Sequence, residues 1–240
     1  MPGGSWRMTR CGFTLIELVV VMGIVMVLVG LSLPAVGSAY ASGRMARALM
    51  GVRQAAILVD QYTKVSKDVY PIYGPSVLST YAKWHFALMD AGIIESFDEV
   101  DPDRRRPPAG RDATYENVNY TLSWALCYDP NLMIPGQTVP VPELLLDEYF
   151  PTTPIRTDQV VYPGDKGMLA PYWSREGPRT GPWCCVYDLL TPVPFCDLHA
   201  EALTWKECVK DGRLVTEHAI GAPVLATWYG CRGRDRANAR

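Results

Sequence analysis

Residues 12–36 read Gly12-Phe13-Thr14-Leu15-Ile16-Glu17 and then LVVVMGIVMVLVGLSLPAV, from Leu18 to Val36. The second part holds 19 residues without a charge. As a helix it is about 28 Å long, close to the roughly 30 Å hydrocarbon thickness of a bilayer. A wholly soluble enzyme is therefore excluded first. A secretory signal would carry a shorter apolar stretch, about 7–15 residues, before a small-x-small cleavage site. Ala39-Tyr40-Ala41 imitates such a site, but the run before it is too long. A plain signal anchor leaves Glu17 unexplained, because a carboxylate at depth costs roughly 2–3 kcal/mol and is normally kept for a partner.

The remaining reading accounts for the whole boundary. Arg7 and Arg10 precede Cys11-Gly12, and GFTLIEL leads straight into the apolar run. This string resembles the cleavage and methylation signal of type IV prepilins and type II secretion pseudopilins. The resemblance implies that a prepilin peptidase cuts between Gly12 and Phe13 and that Phe13 is then N-methylated. It makes residues 1–12 a leader, places Glu17 fifth in the mature chain, and sets Pro34 where many members carry a helix-kinking proline. It also implies assembly with other subunits, homo- or hetero-polymeric, in which Glu17 of one copy pairs with the Phe13 amine of a neighbour. Such pairing neutralises two charges that are costly in apolar surroundings. Gly23 and Gly30 lie seven apart on one helix face and permit close packing. Arg7 and Arg10 before the span are matched by Arg44, Arg47 and Arg53 after it, so charge alone does not orient the chain. The resemblance places the leader in the cytoplasm, the span in the inner membrane as a single pass, and the rest in the periplasm.

Outward from the span, composition sets further limits. The 240 residues carry 23 Lys+Arg against 25 Asp+Glu, a net charge of -2, which argues against nucleic acid as a partner. Charged residues are 20% and hydrophobic ones 48%, too apolar for wholesale disorder. The mean hydropathy of zero is thus a sum of an apolar helix and a more polar remainder. The membrane part covers about residues 13–36, and an N-terminal helix extends over 13–66. In its second half Met45, Leu49, Val52, Ala56, Val59 and Thr63 step by three or four and form one stripe. Gly37, Ser38, Ser42 and Gly43 keep open a separate surface helix after a linker.

Residues 67–240 form the expected globular head. A second helix is predicted over Ser76 to Ala91, capped by Gly92, with Ile93 and Ile94 entering the core. Strands are predicted at Val118–Cys127, Asp158–Tyr162, Gly167–Ala170, Trp183–Leu189 and Val193–Trp205, with Pro192 and Pro194 between the last two. A long helix, a shorter one and then antiparallel strands define an α+β, pilin-like class.

Chemistry in the head is thinner. Cys11 lies in the leader, and Cys127, Cys184, Cys185, Cys196, Cys208 and Cys231 are an even set suited to one to three disulfides outside the cytoplasm. No C-x-x-C spacing favours zinc. On a strand, Asp197, His199 and Glu201 would share a face as a candidate metal constellation, or simply as the polar side of a half-buried strand. The same segment resembles an F-x-D-G-H-x-x-x-W-like strand and turn of large prepilin-like proteins, with Leu198 in place of the glycine, which puts a tight turn in doubt. His85, beside Trp84 and Phe86, fits a packed or surface role. His218 beside Glu217 lacks a third partner. Loop acids such as Asp101, Asp103, Asp158 and Asp165 are candidates for calcium without an ordered ligand spacing. No other cofactor and no enzymatic activity is expected. The alternative from a different class is a membrane-anchored periplasmic enzyme or metal-binding module using Asp197 and His199.

Overall fold

The computed structural model describes residues 14–75, 77–102, 118, 120–132, 152–171, 190–204, 207–208, 224 and 229–236. The chain divides into two compact units, Met1–Arg44 and Met45–Arg240.

Helix α1 runs without interruption over Leu15–Val65, so the separate helix after a linker is not what forms. In the first unit its large apolar side chains, Leu15 to Val36, are 49% to 79% exposed on every side. A helix apolar all round is stable only when something other than water surrounds it. Its polar groups are consistent with that. Ser32 Oγ donates to the Leu28 carbonyl at 2.7 Å and Ser38 Oγ to the Ala35 carbonyl at 3.0 Å, so neither hydroxyl is left unpaired. Pro34 lies inside the helix and removes one backbone donor. Among the described residues α1 is the one helix long and apolar enough to cross a membrane.

In the second unit the expected stripe is found. Val52, Ala56, Val59 and Thr63 are buried, with Ala55 and Leu58 widening the face, while Met45 and Leu49 are half-buried. Lys64 and Asp60 pair across one turn on the outer side. The helix stops at Val65 without a glycine. Lys67 and Asp68 take left-handed φ of 57° and 63°, and the Asp68 N–H returns to the Thr63 carbonyl at 2.8 Å.

Helix α2 covers Val77–Asp90 and ends as its sequence dictates. Gly92 has φ 68°, its N–H bonds the Met89 carbonyl, and the Ile93 N–H bonds Leu88, both at 2.9 Å. These are the two bonds of a Schellman stop, and Ile94 behind it is buried. Trp84 is fully buried and its indole N–H donates to the Tyr120 carbonyl at 3.1 Å, tying α2 to the sheet.

The strands are short and antiparallel. β1 (Tyr120–Leu122) pairs with β2 (Leu169–Pro171), Leu122 opposite Leu169. β3 (Thr191–Pro194) pairs with β4 (Ala200–Leu203), Thr191 opposite Leu203. The Met168 N–H to the Pro194 carbonyl at 2.7 Å and a bridge between Gly167 and Phe195 join the two pairs.

Several strand expectations are corrected. Within Val118–Cys127 the described residues form strand at Tyr120–Leu122 alone. Trp124–Leu126 is a 3-10 turn, because the segment from Tyr120 to Tyr128 is buried throughout rather than on alternate sides. Asp158–Tyr162 is not a strand: Thr157–Gln159 forms a 3-10 turn closed by local polar bonds, Gln159 Oε1 accepting the Arg156 N–H at 2.8 Å. The expected single strand Val193–Trp205 is replaced by a hairpin over Thr191–Leu203, Pro192 and Pro194 sit inside β3 rather than between strands, and Trp205 lies outside the described residues. Trp183–Leu189 lies outside the described residues.

Candidate functional site

At the start of α1, Thr14 and Glu17 close on each other. The Glu17 carboxylate accepts the Thr14 N–H and the Thr14 hydroxyl, each at 2.8 Å, and the Glu17 N–H reaches Thr14 Oγ1 at 3.3 Å. This is a reciprocal capping box, satisfying donors that no helical carbonyl can reach. Thr14 was not singled out by sequence reasoning, although T-x-x-E before an apolar run is the pattern that specifies it. Glu17 thus has a function within its own chain, and its negative charge also suits the positive end of the helix dipole. Gly12 and Phe13 lie outside the described residues. Phe13 directly precedes Thr14, so an amine freed there would sit one residue from this carboxylate-bearing cap.

In the head the structure separates the candidate metal residues. The chain reverses at Phe195–His199, where the Phe195 N–H bonds the His199 carbonyl and the Leu198 N–H bonds the Phe195 carbonyl, both at 2.9 Å. Leu198 takes φ 71°, the left-handed conformation a glycine would adopt freely. The turn therefore forms despite the leucine, whose partly buried side chain packs against the core. Asp197 Oδ1 meets His199 Nδ1 at 2.5 Å, and the imidazole stacks on Phe195 with ring centres 4.3 Å apart. Glu201 instead pairs with Arg236 at 3.0 Å. The single-strand face that would have gathered all three does not exist, and among the described residues no three His, Cys, Asp or Glu side chains form a metal-holding group.

The other candidates are dispersed among local partners. Asp158 pairs with Arg156 at 3.3 Å and Asp165 with Arg234 at 3.6 Å, while Asp101 is buried. Asp103, His218 and Glu217 lie outside the described residues. His85 is buried between Phe86 and Phe97, with centroid distances of 4.7 and 4.9 Å, which is a packing role.

Cys127, Cys196, Cys208 and Cys231 are free thiols, and Cys184 and Cys185 lie outside the described residues. Cys127 Sγ lies 3.6 Å from the Trp124 carbonyl and Cys208 Sγ 3.6 Å from the Thr204 carbonyl. Burial pushes the Cys127 thiol up, and burial with Asp235 and Glu207 nearby pushes Cys208 up to about 12. A thiol raised on folding adds stability that is whole below the unfolded pKa of about 8.5 and declines as pH rises above it. The native reduced protein is therefore expected to label at Cys208 roughly a thousandfold more slowly at pH 8 than the urea-unfolded chain, with the rate climbing toward pH 12. Timed alkylation with peptide mapping measures this, and equal rates in both states would refute the burial argument.

Residues 7–33 match the family model described as the prokaryotic N-terminal methylation motif. No curated relative and no solved structure matches the chain. The match covers Gly12, Phe13, Glu17 and the run up to Leu33, the segment that the capping box opens and the exposed helix continues. The chain therefore carries the prepilin-type cleavage and methylation signal found in type IV pilins and pseudopilins, and that signal leads into a long apolar N-terminal helix.

Proposed function

We propose that this chain is a structural subunit of a type II secretion pseudopilus or a type IV pilus. Prepilin peptidase removes residues 1–12, Phe13 becomes the methylated N-terminus, and residues 13–66 move from the inner membrane into a filament. Residues 67–240 form the periplasmic head. The observation that carries this reading is the methylation motif at residues 7–33 coinciding with the first half of α1, where the large apolar side chains from Leu15 to Val36 are exposed. Such a surface needs two successive homes, lipid before assembly and neighbouring helices after it. Glu17 then couples the two states. Inside the chain it caps α1, and in the filament its charge meets the Phe13 amine of the next subunit. Pro34 supports the same transition by weakening α1 locally.

The enzyme alternative is disfavoured by the Glu201–Arg236 pair, which withdraws the third member of its metal set. Assembly is the direct test. With its own assembly machinery present, the mature chain is expected in the sheared filament fraction or in a cross-linked subunit ladder. A mature chain found only as a detergent-extracted monomer under those conditions would contradict the proposal.

A further inference from the structure

Among the described residues of the head, one ion pair is closed to water. Lys166 is 0% and Asp235 1% exposed, and Lys166 Nζ lies 3.2 Å from Asp235 Oδ2. The contact is in ion-pair range but outside hydrogen-bond angles, and no other acceptor among the described residues takes the Lys166 protons. An ammonium withdrawn from water this completely is poorly repaid by a single imperfect contact. The backbone nonetheless forces the two side chains together. The Asp235 N–H bonds the Asp165 carbonyl at 2.8 Å, and the Lys166 carbonyl accepts the Cys196 N–H at 2.9 Å, so both segments are fixed before the side chains meet.

The surroundings of the carboxyl are built with equal care. Gly167 N–H donates to Asp235 Oδ2 at 2.8 Å and Val224 N–H to Oδ1 at 3.2 Å. Val224 holds its position in a left-handed conformation, φ 73°, a costly one for a β-branched residue. Gly167 must be glycine for Val224 to be there, because a Cβ at 167 would stand 2.5 Å from Val224 Cγ1. One N–H group thus holds each oxygen of a carboxyl that faces an amine at contact distance, and the Val224 N–H is the donor placed at Oδ1, where negative charge would develop on attack at Cγ.

We propose that Lys166 and Asp235 join spontaneously in an intramolecular amide. The ammonium passes one proton to Oδ2, and the neutral amine then attacks Cγ. Negative charge develops on Oδ1, where the Val224 N–H lies. Oδ2 departs as water with a second proton from nitrogen, and the third proton remains on the new amide. No oxidant or co-reactant is needed. In bulk water this condensation is slow, but held reactants reach effective concentrations of roughly 10⁵–10⁸ M. The product replaces two buried charges by one neutral group and covalently ties the segment before β2 to the segment around Asp235. A head cross-linked in this way resists separation of the Lys166 and Asp235 segments.

Tryptic mapping of the full chain, purified from membranes in detergent and reduced, decides it. The expected product is a branched peptide, Thr157–Arg175 uncut at Lys166, carrying Asp235-Arg236 and lighter by one water than its two parts. Lys166→Met and Asp235→Ala are each expected to abolish it. Cleavage after Lys166 with Asp235-Arg236 released at full mass would overturn the proposal. So would a water loss mapped to Asp211-Gly212, which signals ordinary aspartyl cyclisation. The wild-type map is sufficient even if a variant fails to fold.

Discussion

A Gly12→Leu chain is expected to keep its leader, remaining longer than the mature protein by the 12 residues Met1 to Gly12. On the proposed reading the bond to be cut joins Gly12 to Phe13, and a glycine before it lets the chain lie extended in the peptidase site without a side chain in the way. Misplacing a scissile bond by about 1 Å costs on the order of 100-fold in rate. The uncut chain also retains Arg7 and Arg10, and without a free Phe13 amine it has nothing to methylate. Cleavage and methylation are therefore lost together, and filament incorporation with them. Intact mass of the membrane-extracted variant reads all of this at once. A Gly12→Leu chain processed at the wild-type rate would show that the glycine is incidental.

Glu17→Ala is expected to act one step later. The cut lies five residues upstream, so cleavage proceeds, but assembly falls by roughly tenfold or more, the equivalent of about 1.4 kcal/mol. Two losses contribute. The capping box with Thr14 disappears, costing about 1 kcal/mol at the start of α1. The partner for a neighbouring Phe13 amine disappears as well, leaving that amine unpaired in apolar surroundings. Glu17→Gln separates the two, since glutamine can close the same box but carries no charge. Incorporation is expected to stay low in Glu17→Gln if the charge pair dominates. Normal incorporation of Glu17→Ala would remove both roles from the account.

How much of this was legible in the sequence depended on the range of the interaction. The apolar span, the stripe of Val52, Ala56, Val59 and Thr63, and the Gly92 stop of α2 are local patterns with a fixed period or a fixed residue requirement. Each appears where it was expected. The β3–β4 hairpin was not legible, because Leu198 occupies the left-handed position that glycine usually marks. The Thr157–Gln159 turn was hidden for a related reason, since Val160 and Val161 suggested strand while Arg156 and Gln159 closed a local turn. The Lys166–Asp235 pair had no sequence signal at all. It exists because Asp235 is brought back from the far end of the head onto Asp165 and Gly167, a meeting set by tertiary structure alone. The head candidates dissolved on the same ground: Asp197 and His199 remained together across a turn, and Glu201 went to Arg236. The processing signal fared differently, because it is read by a peptidase as a linear string.

The central claim is that residues 7–33 are a working processing signal, and the N-terminus of the wild-type chain tests it most directly. Mass spectrometry of the N-terminal peptide from membrane-extracted protein is expected to show Phe13 as the first residue, carrying one methyl group on its amine. A first residue of Met1 or Met8, or one following Ala41, would contradict the account.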